Sequence, residues 1–331
     1  MERAMIRAFD AALRRMIDFQ SESAAGVPER VVWIDVVRPT APEKKALETG
    51  LGLSLPTPEE MKDIEPSSRL YREESAIFMT ANVVWKSESE EPESAPISFI
   101  LTPQRLVTMR YSDPRSFIAF AAYAEKHATA CMTGSQALIG IVESIIDRTA
   151  EMLERSGADV DALSRTIFRM KTATNRRGPS SVVLHELLAR LALNQNLITK
   201  VRDSLVSLGR MMSYCSAVFD SKSDREWREH VRSVSRDIQS LTDHASYITQ
   251  TTSFLQDAAL GYINLEQNEI IKIFSVAAVM FLPPTLVASI YGMNFEVMPE
   301  LKWVLGYPLA IVLMILSALV PYLYFKRRGW L

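Results

Sequence analysis

The sequence predicts an α/β domain followed by a long α-helical stalk and a two-helix transmembrane hairpin. Three observations predict this architecture. Runs rich in β-branched and aromatic residues, bounded by polar or Pro-containing segments, are confined to the first third of the chain. After Pro114, apolar residues recur at three- and four-residue spacing, the mark of helices. Finally, Ile273–Phe295 and Trp303–Phe325 are runs of 23 residues without a charge. At ~1.5 Å per residue each reaches roughly 35 Å, enough to cross a hydrocarbon core of ~30 Å with some tilt.

The elements follow in order. Met1–Asp10 carries charges and no long apolar core, so no cleaved signal peptide is expected. The first segment able to insert comes late, which leaves about 270 residues on the side of synthesis. Strands are expected at Arg30–Val37, Ala76–Val84, Ile97–Leu101 and Arg105–Arg110. Ser87–Glu93 reads as a solvated hairpin loop. Thr57-Pro58-Glu59-Glu60 combines a capping residue, Pro at the first helical position and early acids, and so starts a helix. Helices are then expected over Ser116–His127 and Ser135–Met170, with Leu138, Ile141, Val142, Ile145 and Ile146 on one face. Asn175–Pro179 breaks the pattern. A further helix covers Ser181–Phe219, and Asp220–Asp224 is a polar turn. From Arg225 to Phe295 no Pro occurs before Pro283, which predicts one helix of roughly 70 residues and about 100 Å. The expected organisation is a cytoplasmic α/β domain (1–112), a cytoplasmic helical region (113–222), a stalk (223–272), a first span (273–295), an outer loop (296–302), a second span (303–325) and a basic tail (326–331).

Composition narrows the function. Lys and Arg number 37 against 39 Asp and Glu, a net charge of −2, and no basic patch interleaves with aromatics; nucleic acid is excluded as a partner. Cys131 and Cys215 lack ligand-like spacing and read as reduced, buried thiols. His127, His185, His230 and His244 also lack metal-ligand spacing. No glycine loop able to cradle phosphate is present, so neither an enzyme nor an ATP-driven pump is expected. Lys326, Arg327 and Arg328 follow the second span and Lys272 precedes the first, whereas the loop offers only Lys302 against Glu296 and Glu300. The positive-inside rule therefore places both termini in the cytoplasm. Trp303, Tyr307, Tyr322, Tyr324 and Trp330 fall near the expected interfaces.

One face of the first span differs from the others. Positions 268, 275, 282 and 289, with 271, 278, 285 and 292, follow a seven-residue repeat and read Asn268, Ser275, Leu282, Ser289, Ile271, Ala278, Thr285 and Gly292. Ile273, Phe274, Val276, Met280, Phe281, Leu286, Val287 and Ile290 occupy the remaining faces. A small, polar stripe fits close helix packing. It also fits the lining of a pathway, which a single hairpin cannot form but several copies around an axis can. Asn294 would be costly against lipid and favours the second reading. Pro283-Pro284 frees two carbonyls, which pore water or a packing kink would accommodate. Glu296 and Glu300, repeated around a symmetric mouth, would concentrate cations.

At Gly292-Met293-Asn294 and Met298-Pro299-Glu300-Leu301 the sequence resembles the CorA family of magnesium transporters, whose signature is Gly-Met-Asn at the outer end of the first span, commonly with an acidic Met-Pro-Glu-Leu loop. The resemblance is specific over Asp257 to Leu331 and matches the remainder in pattern only. It implies a homopentameric funnel in a bacterial inner membrane, with Asn268, Phe274, Leu282, Thr285, Ser289, Gly292 and Asn294 facing the pore and Met293 within the signature. It further implies that a ring of Asn294 holds hydrated Mg²⁺, that Phe274 and Leu282 form hydrophobic constrictions, and that Mg²⁺ also binds between subunits to hold the pore closed. Asp257 matches one acid of such a site, and Asp63, from Glu59–Asp63, is its expected partner. A second acidic stalk position is Ser233 here, a departure that bears on the strength of this feedback. Two other readings stay open: a transporter of Zn²⁺, Co²⁺ or Ni²⁺ like the related ZntB branch, and a non-conducting scaffold or sensor. Soft thiolate and imidazole ligands are missing from the stripe, which favours Mg²⁺ over the first of these.

Overall fold

The computed structural model describes residues 5–19, 27–63, 65–87, 89, 91–127, 129–169, 181–218, 225–293, 298–299 and 303–330. The chain divides into two compact units, one of residues 1–169 and 186–255, the other of 170–185 and 256–331.

The first unit contains a seven-stranded sheet. Its strands are β1 (Met5–Asp10), β2 (Arg15–Asp18), β3 (Val31–Val37), β4 (Leu70–Glu73), β5 (Ala76–Trp85), β6 (Glu93–Leu101) and β7 (Leu106–Arg110), in the order β2-β1-β3-β7-β6-β5-β4. Only β3 and β7 pair in parallel. All their residues are buried, which explains their near-continuous apolar sequences: a central strand covered on both faces does not alternate. Alternate side chains serve opposite layers. Ile34 and Val36 join Leu47 of α1 (Ala41–Leu51), Leu55, Ile100 and Val107 in one cluster. Trp33 faces the other way, with ring centroids 6.3 Å from Phe117 and 5.5 Å from Phe120 of α4 (Arg115–Lys126).

The Thr57 signal behaves as the sequence predicts. Thr57 caps α2 (Pro58–Lys62), its hydroxyl accepting from the Glu60 amide while the Glu60 carboxylate accepts from the Thr57 amide. Five elements have no counterpart in the sequence expectations: β1, β2, α1, α3 (Pro66–Arg69) and β4. The third expected strand is also longer, since β6 starts at Glu93 and includes Pro96. Pro96 is tolerated because β7 pairs only with Ile97–Leu101, so the position is locally a sheet edge. Asn82, opposite it on β5, lies beyond Met79, where the pairing with β4 ends, so its backbone groups on that side need other partners. Two serines of α6 (Ser181–Val218) supply them: Ser204 Oγ donates to the Asn82 carbonyl at 2.7 Å, and the Asn82 amide donates to Ser207 Oγ at 2.8 Å.

The helices complete this unit. α5 runs over Gly134–Arg169, α6 follows, and α7 (Arg225–Tyr291) begins within it. Buried residues of α7 in this unit fall at Trp227, Val231, Val234, Ile238, Ala245, Ile248, Thr252 and Leu255, a seam of three- and four-residue steps with a single step of seven after Ile238. Gly140 of α5 marks a close approach to α4, since a Cβ there would run into the Phe120 ring.

Cys131 and Cys215 are free and buried, as expected of reduced thiols. Burial pushes both thiols up from 9.0 to about 12. At pH 8 this lowers their thiolate fraction by about a thousandfold relative to water for unchanged geometry. Native protein should therefore resist a thiol reagent that labels both cysteines after denaturation; rapid labelling before unfolding would contradict it. The linkage has one sign: neutral thiols leave stability unaffected below pH 9.0, and stability falls as pH rises from there towards 12.

Candidate functional site

The second unit holds the apolar end of α7 and α8 (Gly306–Arg327). Both are long and apolar enough to cross a membrane. Only 6% of each apolar window is buried, unlike the core helix of a soluble protein. The expected first span ended at Phe295, whereas α7 ends at Tyr291 and residues 294–297 lie outside the described residues. The second helix starts at Gly306 rather than Trp303. Pro308 falls in its first turn, where an amide hydrogen has no intrahelical partner to lose.

Each of these helices has one covered face. On α7 it comprises Val276, Met280, Pro283, Val287 and Tyr291; on α8 it comprises Gly306, Ala310, Met314, Ser317 and Pro321. The small residues of the second set permit close packing. The sequence reading singled out no covered face on this helix, although the three- and four-residue spacing of these residues carries the signal.

The polar stripe stands opposite. Asn268, Ile271, Ser275, Ala278, Leu282, Thr285, Ser289 and Gly292 are all exposed, and at 3.6 residues per turn their mean direction is roughly half a turn from the covered face. No part of the chain covers them among the described residues. Leu282 is 66% exposed and Phe274, beside the stripe, 72%, values that set these bulky side chains apart from any core role. The helix continues through Pro283 and Pro284. Thr285 Oγ1 donates to the Phe281 carbonyl at 2.7 Å, so its proton is directed to the backbone while its lone pairs remain available as acceptors. At the end of α7, a Cβ on Gly292 would meet the Ala288 carbonyl oxygen at 3.1 Å, and the Gly292 amide donates to that same oxygen at 3.0 Å. Met293 is exposed; Asn294, Glu296 and Glu300 lie outside the described residues.

The two acids expected to regulate lie in different units. Asp63 is an exposed residue at the end of α2; its carboxylate accepts from the Glu65 amide at 3.3 Å, and its carbonyl accepts from Arg69 Nε. Asp257 is exposed on α7, as is Ser233. Among the described residues, no group of three or more His, Cys, Asp or Glu side chains is placed to hold a metal ion. The histidines serve other ends: His127 stacks on Tyr123 at 3.9 Å, and His230 lines a surface cavity with Glu143.

A sheet-bearing unit, a helix of 67 residues that ends in a membrane-length segment, and a second apolar helix define a two-span membrane protein with a polar face turned away from its own hairpin. Residues 28–327 match the family model of the CorA-like Mg²⁺ transporter proteins, and the chain belongs to that family of transporters. The magnesium transport protein CorA of Salmonella typhimurium is 36% identical over 327 residues, covering 99% of this chain and 100% of the relative. Among solved structures, the complete CorA magnesium transporter of Methanocaldococcus jannaschii shares the fold with a TM-score of 0.75 at 17% identity, covering all of both chains. The ZntB cytoplasmic domain of Vibrio parahaemolyticus aligns with a TM-score of 0.55 at 11% identity, over 80% of this chain and 99% of that one.

Proposed function

We propose that this chain forms a homopentameric Mg²⁺ channel in the bacterial inner membrane, with both termini cytoplasmic and the 268–292 stripe of α7 lining the pore. The observation that carries this reading is the exposure of all eight stripe positions opposite the covered face of the helix. A single chain leaves that polar face to lipid; copies arranged around an axis would place it against water and ions. The number five comes from the family resemblance.

In this arrangement residues 1–112 and 113–222 form the cytoplasmic part, 223–272 the stalk, 273–295 and 303–325 the spans, 296–302 the outer loop and 326–331 the basic tail. Asn294 would ring the entrance, with Gly292 and Met293 shaping the end of the helix behind it. Mg²⁺ dehydrates reluctantly, so a selective entrance grips it through its waters. Asn268, Thr285 and Ser289 offer neutral oxygen acceptors further along, while Phe274 and Leu282 form constrictions that close by dewetting. Glu296 and Glu300 raise the local cation concentration at the mouth. Asp257 of one subunit and Asp63 of the next would hold a regulatory Mg²⁺: both are exposed carboxylates, the hard oxygen ligands this ion takes. Since Ser233 removes a second acid, feedback should rest on the Asp257 site.

A second reading, transport of Zn²⁺, Co²⁺ or Ni²⁺ through the same architecture, is favoured by the fold likeness to the ZntB cytoplasmic domain. Ion flux into liposomes decides between them. Mg²⁺ should enter and should slow when Mg²⁺ is supplied on the cytoplasmic face. Preferential Zn²⁺ flux would shift the reading to the second, and no flux of any ion would leave a scaffold.

A further inference from the structure

We propose that the C-terminal end of α8 is a docking collar for anionic phospholipids, whose headgroup phosphates its cations hold at the membrane surface. The inference rests on α8 being a membrane span and not on which ion the protein carries. Lys326, Arg327 and Arg328 follow one another at the end of the helix, and all three are exposed. Successive residues of a helix stand about 100° apart, so these side chains leave it in three directions. Among the described residues no carboxylate pairs with any of them. The 22 residues of α8 extend about 33 Å at ~1.5 Å per residue. Its final cations therefore stand at the edge of a hydrocarbon core of ~30 Å.

Cations at a helix C-terminus have an internal use, since they can bond the last carbonyls. Here the backbone closes that turn by itself. The Arg328 amide donates to the Tyr324 and Phe325 carbonyls, each at 3.1 Å, the Gly329 amide to Lys326 at 3.2 Å and the Trp330 amide to Phe325 at 3.1 Å. Gly329 permits this with a φ of +70°, and the same turn lays the Trp330 ring on Phe325 with centroids 5.4 Å apart. The cationic heads are left for an external anion. Two of them are set over rings that carry a hydroxyl: Lys326 Nζ lies 5.8 Å from the Tyr322 centroid, and Arg328 Cζ 5.6 Å from that of Tyr324. These pairs stand roughly 200° apart around α8. Tyrosine and tryptophan rings settle at the headgroup level, with the long cationic stems reaching outward from it. A lipid phosphate accepts from ammonium and guanidinium alike. A zwitterionic headgroup brings its own cation and gains less, so the collar selects headgroups of net negative charge, in which the cytoplasmic leaflet is rich.

Full-length protein carrying Trp303→Phe keeps Trp330 as its tryptophan at a membrane surface, because Trp33, Trp85 and Trp227 belong to the first unit. In phosphatidylcholine vesicles, brominated phosphatidylglycerol should quench that fluorescence more than brominated phosphatidylcholine at the same mole fraction. The expected preference is at least about tenfold, since one cation near an anionic surface contributes about fivefold. Lys326→Gln with Arg327→Gln and Arg328→Gln should bring the preference close to one. Arg328→Gln alone keeps a basic flank after the span, and with it the orientation, and should lower the preference about fivefold. Equal quenching by the two lipids in the parent overturns the proposal, as does a parental preference retained in both variants. Mg²⁺ flux into the same vesicles reads the channel separately, so flux without lipid preference overturns this inference alone.

Discussion

Asn294→Ala is expected to lower Mg²⁺ flux by more than about tenfold in protein that still assembles and still carries its spans. The proposed ring of amides accepts hydrogen bonds from water held by a doubly charged ion. Hydrogen bonds to charged groups are worth about 1.5–3 kcal/mol each, and ~1.4 kcal/mol is a factor of ten. Losing even one net interaction of this kind therefore exceeds a tenfold effect. Alanine offers no acceptor and widens the opening, so discrimination between Mg²⁺ and Co²⁺ should fall along with the rate. Ser289→Ala, about one turn back from the entrance region on the uncovered stripe, should have a smaller effect, since lumen water can replace a single hydroxyl. Flux into liposomes, normalised to protein, gives the comparison. Wild-type flux in Asn294→Ala would remove the amide ring from the mechanism while leaving the uncovered stripe in place.

The membrane part of this molecule was readable from its amino acids because lipid simplifies the rules. A residue there is uncharged or it has a reason to be otherwise, and the repeat of Ser275, Leu282 and Ser289 emerges without competition from core packing. The structure adds the position of the covered face, which depends on which side of α7 is packed and is not written in that helix alone. In the first unit, tertiary pairing decides more. β4 is a four-residue edge strand, Leu70–Glu73, with two charges; its pairing with β5, rather than its own preference, makes it a strand. For α1 a signal is present in Thr40-Ala-Pro-Glu43, whose capping box forms, but no apolar periodicity accompanies it. The Asp35–Arg110 pair had no such signal, because it depends on residues far apart in the chain.

Asp35→Ala is expected to destabilise the first unit by about 3–5 kcal/mol, the usual cost of leaving one member of a buried ion pair behind. Asp35 of β3 and Arg110 of β7 meet diagonally across the parallel strands, where Asp35 pairs with Thr108 and Arg110 with Val37, and each side chain is 5% exposed. Arg110 Nη2 donates to Oδ2 at 2.9 Å and Nε to Oδ1 at 3.1 Å, a two-pronged contact. Thr108 Oγ1 also donates to Asp35 Oδ1, at 2.8 Å, and accepts from Trp33 Nε1 at 2.9 Å. Burial opposes the Arg110 charge, yet Asp35 and Asp113 outweigh burial and raise its pKa above an already high value. Because arginine keeps its proton in proteins, the guanidinium remains charged after Asp35 is lost, with the half-exposed Asp113 left as its carboxylate partner. A domain stable by ~5–15 kcal/mol loses a large share of its margin. Arg110→Lys should also be costly, because one ammonium cannot span Asp35 and Asp113 as the planar fork does. The double variant Asp35→Leu with Arg110→Met removes both charges and should recover most of the loss, a non-additivity that a helix or strand propensity effect would not produce. Denaturant melts followed by tryptophan fluorescence will read the change through Trp33, which is joined to the network. Asp35→Ala melting at the parent's midpoint would show that the pair contributes nothing to holding β3 and β7 together.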